Sequence, residues 1–288
     1  MSFIDKLKKN DNLYFALRNK KVIIGAVIFL ALLITALIGP IIALYDYEEF
    51  AGAPYANPSF QHLMGTSIFG RDVFSQVLYG LRSTFVVGFV GGTLGTVIGL
   101  IIGFFAGYRS GSMLDEILMM MINILLVIPT IALLIILSAY LPYRGVITQS
   151  MIIGFTSWPW VARAVRSQTL SLRNKEFVNL SRISGASTFK IIKDDIAYNM
   201  FSYVFMVYIL QFAGAILTSV SLDFIGLGPT KGISLGLIMQ DAVNWNAIQL
   251  GMWWWAILPG VVLTVLVTSL YFINTGLDEV FNPTLREM

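Results

Sequence analysis

Residues 22–44 read VIIGAVIFLALLITALIGPIIAL, a run of twenty-three residues without a charged side chain. A helix needs about 20 consecutive apolar residues to cross the hydrocarbon core of a bilayer. Five more apolar runs follow along the chain, and we predict spans at Val22–Leu44, Thr84–Tyr108, Ile117–Tyr140, Val146–Val165, Met200–Leu222 and Met252–Leu277. Because the backbone must satisfy its own hydrogen bonds in hydrocarbon, the predicted fold is an all-α integral membrane protein with six transmembrane helices.

The composition excludes several other classes of protein. The 288 residues are 57% hydrophobic and 12% charged, whereas soluble domains carry roughly 25% charged residues. There is no cysteine, which excludes disulfides and thiolate metal sites. No lysine is followed by serine or threonine, so a phosphate-binding loop of the G-x-x-x-x-G-K-[ST] kind is absent. We therefore predict that the chain is not an enzyme and binds no ATP, metal or other cofactor, and no nucleic acid.

Lysine and arginine are unevenly distributed among the predicted loops. If the N-terminus is inside, fifteen of the nineteen fall in inside segments and four in outside segments. This bias is typical of cytoplasmic loops, so both termini are predicted to be cytoplasmic, with outer loops at 45–83 and 223–251. Residues 1–21 mix apolar and basic side chains and predict an interfacial helix on lipid, a solvated tail being the alternative. Residues 22–288 are then one membrane domain.

Several residues within the spans are informative. Asn123 and Gln211 are amides in apolar runs, and each is predicted either to line a pathway or to join helices. Pro129 is predicted to bend the third span because it removes a backbone donor. The second span has a glycine at every fourth position, at Gly91, Gly95, Gly99, Gly103 and Gly107. Such a ridge lets another helix approach closely, within one subunit or from a second one.

A long inside segment follows the fourth span, at residues 163–199. From Ser167 it reads SQTLSLRNKEFVNLSRISGASTFKIIKDDIAYN. The apolar residues have mixed helical periodicity, interrupted at Gly185. We predict two short helices with a bend at Gly185, outside the bilayer. Either a partner protein docks on the apolar residues of this segment, or the segment packs only on its own spans.

This segment resembles the coupling loop of ABC-importer permeases, whose pattern is Glu-Ala-Ala, three residues, Gly, and later Ile-Leu-Pro. Gly185-Ala186-Ser187 and Ile191-Ile192 match it. The triplet is replaced by Asn179-Leu180-Ser181, and the proline by Tyr198.

The first outer loop carries a second match. The residues that match are His62, Gly65, Thr66, Gly70, Arg71 and Asp72. They resemble the outer signature H-x-x-G-T-D-x-x-G-R-D of peptide/nickel-type permeases, with Ser67 in place of the first aspartate. From the sequence alone, no acid is placed to orient His62. Phe224–Gly228 and the closing Asn282-Pro283 also match, so the resemblance covers nearly the whole chain.

The family that the chain resembles is that of the C-type subunit of dipeptide, oligopeptide and nickel importers. The resemblance implies a type I ABC importer permease in a prokaryotic plasma membrane. Its partners would be a B-type permease, two ATP-binding subunits that hold ATP and magnesium, an external solute-binding protein and membrane lipid. The residues predicted to couple to the ATPases are Glu176, Leu180, Arg182, Ile183, Gly185, Ala186 and Phe189.

Two questions remain open at this stage. The solute is predicted to be a peptide, with an oligosaccharide or a nickel chelate as alternatives. A stand-alone channel or secondary transporter is the alternative of another class, and it would need no docking segment. An intramembrane enzyme would need clustered catalytic groups in the spans, and the sequence has none.

Overall fold

The computed structural model describes residues 15–141 and 143–281. Their helices are α1 (Lys20–Ile42), α2 (Val73–Tyr108), α3 (Met113–Val127), α4 (Thr130–Ala139), α5 (Val146–Leu172), α6 (Glu176–Ile183), α7 (Phe201–Phe224), α8 (Leu235–Asn244) and α9 (Trp253–Phe281). A short helix, Thr188–Lys190, continues into a π-helical turn, Ile191–Ala197. These residues contain no β-strand, which confirms the all-α prediction. Residues 1–14 of the predicted interfacial helix and Asn282-Pro283 lie outside the described residues.

The predicted count of six membrane-crossing helices is not confirmed by the length and composition of the described helices. Among the described residues, α1, α2, α7 and α9 are long and apolar enough to cross a bilayer. Helices α3 and α4 would form a fifth span, broken by an 84° bend. The break lies at Ile128 and Pro129, which confirms the predicted effect of the proline. The predicted fourth span is helical in α5, but polar residues such as Gln149 and Arg163 make it less apolar than the others.

Two helices are longer than predicted. Helix α2 begins at Val73 instead of Thr84, because Asp72 accepts a hydrogen bond from the backbone of Ser75 at 2.7 Å and so caps the first turn. Helix α5 continues to Leu172, past the predicted end at Val165. Residues 163–172, predicted to begin the inside loop, are therefore part of a helix.

The described residues form two compact units. Unit A comprises residues 15–87, 143–149 and 216–281. In it, α1 packs along α9, and the Asn19 side chain caps α1 by accepting from the backbone of Lys21 and Val22. Asn19 and Lys21 both bond the Glu279 carboxylate.

Unit A also holds a buried carboxylate. Asp223, at the end of α7, accepts hydrogen bonds from Gln149 Nε2 at 2.9 Å and Ser234 Oγ at 2.5 Å. Because a buried charge is stable only when it is hydrogen-bonded, these bonds fix the segment that leads into α8.

Unit B comprises residues 88–141 and 150–215 and is held by the glycine ridge. A Cβ at Gly99 would lie 2.5 Å from the Cβ of Val161, and one at Gly107 would lie 2.6 Å from the Cβ of Thr169. The ridge therefore packs α2 against α5 within this chain, which is the first of the two predicted roles.

Candidate functional site

The coupling segment, residues 173–199, is what remains of the predicted inside loop after α5 ends. Its first helix, α6, begins after Lys175, carries Glu176 in its first turn and has Arg182 in its last turn. Both charges have the favourable sign for the helix dipole. Val178 is fully buried, whereas Leu180 and Ile183 are exposed. Helix α6 is thus anchored on one side only.

Helix α6 ends in a left-handed turn at Gly185, whose φ is +77°. The Ala186 N–H donates to the Ser181 carbonyl and the Gly185 N–H donates to the Arg182 carbonyl, both at 3.1 Å. This pair of bonds is a Schellman motif with glycine at the position that requires a positive φ. The predicted bend at Gly185 is confirmed, and so are the two short helices on either side of it.

The chain returns through a buried root. Ile191, Ile192 and Ile196 of the π-helical turn pack against a cluster that includes Val161 and Met200. Ala186 packs against the same cluster. Because these residues are shielded from water, the root fixes the position of the coupling segment on unit B.

The opposite side of the segment exposes large apolar side chains. Leu180, Ile183 and Phe189 are 64%, 83% and 65% exposed. We name these three residues the apolar tip. Apolar side chains held out on a rigid root are typical of a surface that inserts into a partner's groove. All three are among the residues predicted to couple to the ATPases, and that coupling stays a prediction.

Two arginines connect the end of α5 and the start of the coupling segment to other parts of unit B. Arg166 pairs with Asp115 through two bonds of 2.7 and 2.8 Å. Arg173 donates to the backbone carbonyls of Tyr108 and Ser110, at the end of α2. Neither arginine is among the residues predicted to couple to the ATPases. Their spacing of seven residues places both on one helical face, and that was the available signal.

Arg182 has partners within the chain. It donates to Asn179 Oδ1 at 3.2 Å, and its guanidinium lies 5.8 Å from the centre of the Tyr108 ring. The predicted coupling of Arg182 and Glu176 to the ATPases stays a prediction.

The two amides in the spans have different environments in unit B. Gln211 is 2% exposed and bonded at both its oxygen and its nitrogen, since it accepts from Trp160 Nε1 at 2.6 Å and donates to Ser157 Oγ. These bonds are what an amide that joins helices requires. Asn123 is exposed and accepts from Arg163 Nη2 at 2.6 Å. An exposed polar pair on apolar helices is typical of a wet surface, which favours the pathway for Asn123.

Leucine at each amide position separates the two roles. Asn123→Leu is expected to lower transport per assembled complex severalfold with assembly retained, because only the exposed pair is lost. Gln211→Leu is expected to lower the yield of folded chain, because it leaves the partly buried Trp160 N–H without its acceptor at a cost of about 1–3 kcal/mol. Transport normalised to assembled complex is the measurement. If both variants assemble poorly and transport normally per complex, neither amide lines the pathway.

The outer signature forms a closed network in unit A. His62 Nδ1 lies 2.9 Å from Asp72 Oδ1, and both side chains are buried. The sequence-based statement that no acid is placed to orient His62 is therefore wrong, because the tight loop brings Asp72 back against the ring. Gly52 covers the other nitrogen, since a Cβ there would lie 2.8 Å from Nε2. The pair therefore closes the loop onto the start of α2.

The remaining signature residues are also bound into this loop. Thr66 Oγ1 donates to the Ala53 carbonyl and accepts from the Ala56 N–H, while its own carbonyl accepts from Trp254 Nε1. Ser67 Oγ accepts from the backbone of Phe69 and Arg71, both at 3.2 Å. Gly65 and Gly70 both have positive φ. The signature is thus a structural element that positions the start of α2.

Comparison with known proteins identifies the family. The family model described as the binding-protein-dependent transport system inner membrane component matches residues 99–287, which contain the coupling segment. The chain belongs to this family. The N-terminal transmembrane domain of oligopeptide transport permease C matches residues 16–62 as well, so the two matches cover most of the chain.

Individual members of the family are similar over most of their length. The dipeptide transport system permease protein DppC of Bacillus subtilis is 31% identical over 93% of this chain and 83% of its own. OppC, the oligopeptide transport system permease protein of the same organism, is 30% identical over 93% of this chain and 87% of its own. A putative peptide transport permease of Brucella abortus is 32% identical over 94% of this chain and 90% of its own.

A solved structure shares the fold. A chain of the MetNI methionine ABC transporter, in inward-facing conformations, matches with a TM-score of 0.57 at 21% identity. The match covers 74% of this chain and 95% of the solved one. The chain therefore has the fold of an ABC importer permease and is a multi-pass membrane protein.

The described residues offer little to a metal ion. Within 15–141 and 143–281, no three histidine or acidic side chains are grouped so that they could hold one. The chain presents the apolar tip on a buried root. It also has an exposed polar pair, Asn123 and Arg163, on its helices.

Proposed function

We propose that this chain is a permease subunit that forms half of the translocation pathway of an ATP-driven peptide importer. The observation that carries the proposal is its similarity to dipeptide and oligopeptide permeases over more than nine-tenths of the chain. Residues 22–288 would be the permease domain. A B-type permease would supply the other half of the pathway, and an external solute-binding protein would deliver the peptide.

Two ATP-binding subunits would bind and hydrolyse ATP with magnesium. The free energy of ATP hydrolysis must reach the spans through a physical contact with these subunits. We assign that contact to the coupling segment. Leu180, Ile183 and Phe189 would insert into a groove of one ATPase. Movement of the segment would then be passed to α2 and α3 through the bonds of Arg173 and Arg166.

Burial of the apolar tip is expected to contribute more free energy to the contact than the charges at its rim. Fully burying a Leu, Ile or Phe side chain contributes about 1.5–3 kcal/mol, so burying the exposed parts of three contributes on the order of 3–6 kcal/mol. An exposed ion pair contributes about 0–1 kcal/mol. Glu176 and Arg182 would therefore orient the contact, while the apolar tip would supply most of its affinity.

The experiment that tests the proposal is purification of the tagged chain followed by reconstitution. A second permease and two nucleotide-binding chains are expected to co-purify. The assembly with its binding protein is expected to import peptides only when ATP is supplied, while the chain alone hydrolyses none. Transport by the chain alone would establish a channel or secondary transporter instead. ATP-driven import of oligosaccharides or nickel chelates, but not of peptides, would keep the machinery and change the solute.

The proposed location is a prokaryotic plasma membrane with both termini in the cytoplasm, supported by the lysine and arginine distribution. Labelling of single cysteines tests it without a background, because the chain has no native cysteine. Ser59→Cys, exposed in the first outer loop, is expected to react with an impermeant maleimide in intact cells. Asn174→Cys, exposed in the coupling segment, is expected to react only after permeabilisation. The reverse pattern would invert the topology.

A further inference from the structure

Unit A contains an open cleft of about 280 Å³. Its polar lining comes from Tyr47, Tyr79, Arg82 and Ser83, and its apolar lining includes Val146 and Ile233. Four stretches of chain that are distant in sequence converge on it: the first outer loop, α2, the start of α5 and the loop before α8. A volume of this size holds a residue or two of a small solute rather than a whole one.

Arg82 is the one cationic side chain that lines the cleft. It is exposed, and no hydrogen bond or ion pair joins it to any other residue within 15–141 and 143–281. Two other arginines of unit A do have partners. Arg71 lies over the Phe69 ring, and Arg144 donates to the Gly226 carbonyl. An arginine in a membrane helix is costly unless it meets water or an anion, so the open face of Arg82 calls for one of these.

The position of Arg82 along α2 places it at the membrane boundary. At 1.5 Å per residue, Arg82 lies about 39 Å along the helix from Tyr108, where α2 ends. The hydrocarbon core is about 30 Å thick. If the Tyr108 end lies at one membrane surface, Arg82 lies at the opposite interface, within reach of solutes that arrive from outside.

We propose that this cleft is a subsite for the terminal carboxylate of the solute, bound by Arg82. The guanidinium presents a planar fork of N–H donors that fits both oxygens of a carboxylate. The Ser83 hydroxyl can add a donor, and Tyr47 and Tyr79, whose ring centres are 5.3 Å apart, supply an aromatic wall for the adjoining residue. The inference rests on the proposed function, because it takes the solute to be a peptide.

The same guanidinium could bind the phosphate of a lipid headgroup, since it recognises both anions through the same bonds. It could also be an interfacial anchor without a ligand. The walls favour a solute, because they come from the first outer loop, the start of α5 and the loop before α8 as well as from α2. The experiment below separates the three cases.

The complete importer, with its binding protein, is reconstituted with the native chain or with Arg82→Gln. Uptake per assembled complex is measured for trialanine and for its C-terminal amide, which lacks the carboxylate. Arg82→Gln is expected to lower trialanine uptake at least about tenfold and to leave amide uptake nearly unchanged. Arg82→Lys keeps the charge but not the planar fork of donors. Its trialanine uptake is expected to lie between those of the native importer and Arg82→Gln. Lys231→Gln removes the same charge beside the lining residue Gly232, and native behaviour is expected.

Other results would overturn the inference. If the native importer takes up trialanine and Arg82→Gln lowers both probes equally or neither, the carboxylate assignment is wrong. If the effect of Arg82→Gln appears only in vesicles containing phosphatidylglycerol and not in phosphatidylcholine alone, the anion is a lipid phosphate. If Arg82→Gln does not assemble, Arg82→Lys decides, and unchanged discrimination there contradicts the subsite. If the native importer takes up neither probe while ATP drives another solute, the proposed function fails and the inference falls with it.

Discussion

Gly185→Trp is expected to abolish transport and to loosen ATPase binding while membrane insertion stays intact. The chain itself has room for a side chain, since a Cβ at Gly185 would meet no atom within 4 Å. Two effects act instead on the coupling segment. The φ of +77° costs a non-glycine residue about 1–2 kcal/mol, which favours opening of the Schellman turn. The indole would also stand beside the exposed Ile183 and hold the ATPase surface away.

Matched variants separate strain from bulk. Gly185→Asn is expected to transport at nearly the native rate, because asparagine tolerates a positive φ and is small. Gly185→Ala adds strain with little bulk and is expected to retain part of the activity. Transport and retention of the ATPase subunits through purification are measured for each variant, along with the amount of inserted chain. A Gly185→Trp complex that assembles and transports normally would show that the coupling segment does not transmit the energy of ATP.

The parts of the fold that sequence reasoning predicted correctly have local causes. Pro129 removes a backbone donor and ends α3 wherever the helix is placed, so the bend needs no knowledge of tertiary structure. Gly185 is required by a turn that its own neighbours complete. The exposed Leu180 and Ile183 also followed from local pattern, because large apolar residues recur among charges in α6.

The parts that it missed depend on distant contacts. Helix α2 begins eleven residues before the predicted span because Asp72 caps it. Gln76, in its first turns, donates to the Tyr47 carbonyl and is buried, although its polarity suggested a loop. The pairing of His62 with Asp72 likewise needs the closed outer loop and could not be read from spacing.

Only part of the candidate site could be predicted from the sequence. Periodicity indicated that α6 has an apolar side, but Val178 belongs to the buried root and Ile183 to the exposed tip, and both are β-branched aliphatic residues. Their difference is set by the cluster around Val161 that covers only one side of the segment. In the sequence, Arg173 is one of several basic residues. Its role could not be predicted, because its acceptors are backbone carbonyls at the end of α2.

Gly99→Val is expected to prevent most of the chain from folding. A Cβ at Gly99 would lie 2.5 Å from the Cβ of Val161 and 3.0 Å from the Trp158 carbonyl oxygen, so backbone as well as side chain would have to move. Overpacking a well-packed core costs typically about 1–3 kcal/mol. Part of the clash is with a backbone atom of α5, which cannot rotate away as a side chain can. The loss of folding free energy is therefore expected at or above the upper end of that range. The neighbouring ridge glycines Gly95 and Gly103 are equally close to their partners, so relief by a small helix shift is blocked.

The fraction of monodisperse chain after solubilisation, and its midpoint of thermal unfolding, are the measurements. Gly214→Val is the control, because Gly214 also lies in a helix and a Cβ there would meet no atom within 4 Å. Gly214→Val makes the same change in helix propensity without the clash. Its monodisperse fraction and its midpoint of thermal unfolding are expected to be close to those of the native chain. If Gly99→Val folds normally as an isolated chain but fails to bind the second permease, the ridge is an interface between subunits. Loss of the isolated chain with Gly214→Val intact assigns the ridge to the joining of α2 and α5, and every coupling movement must then carry these two helices together.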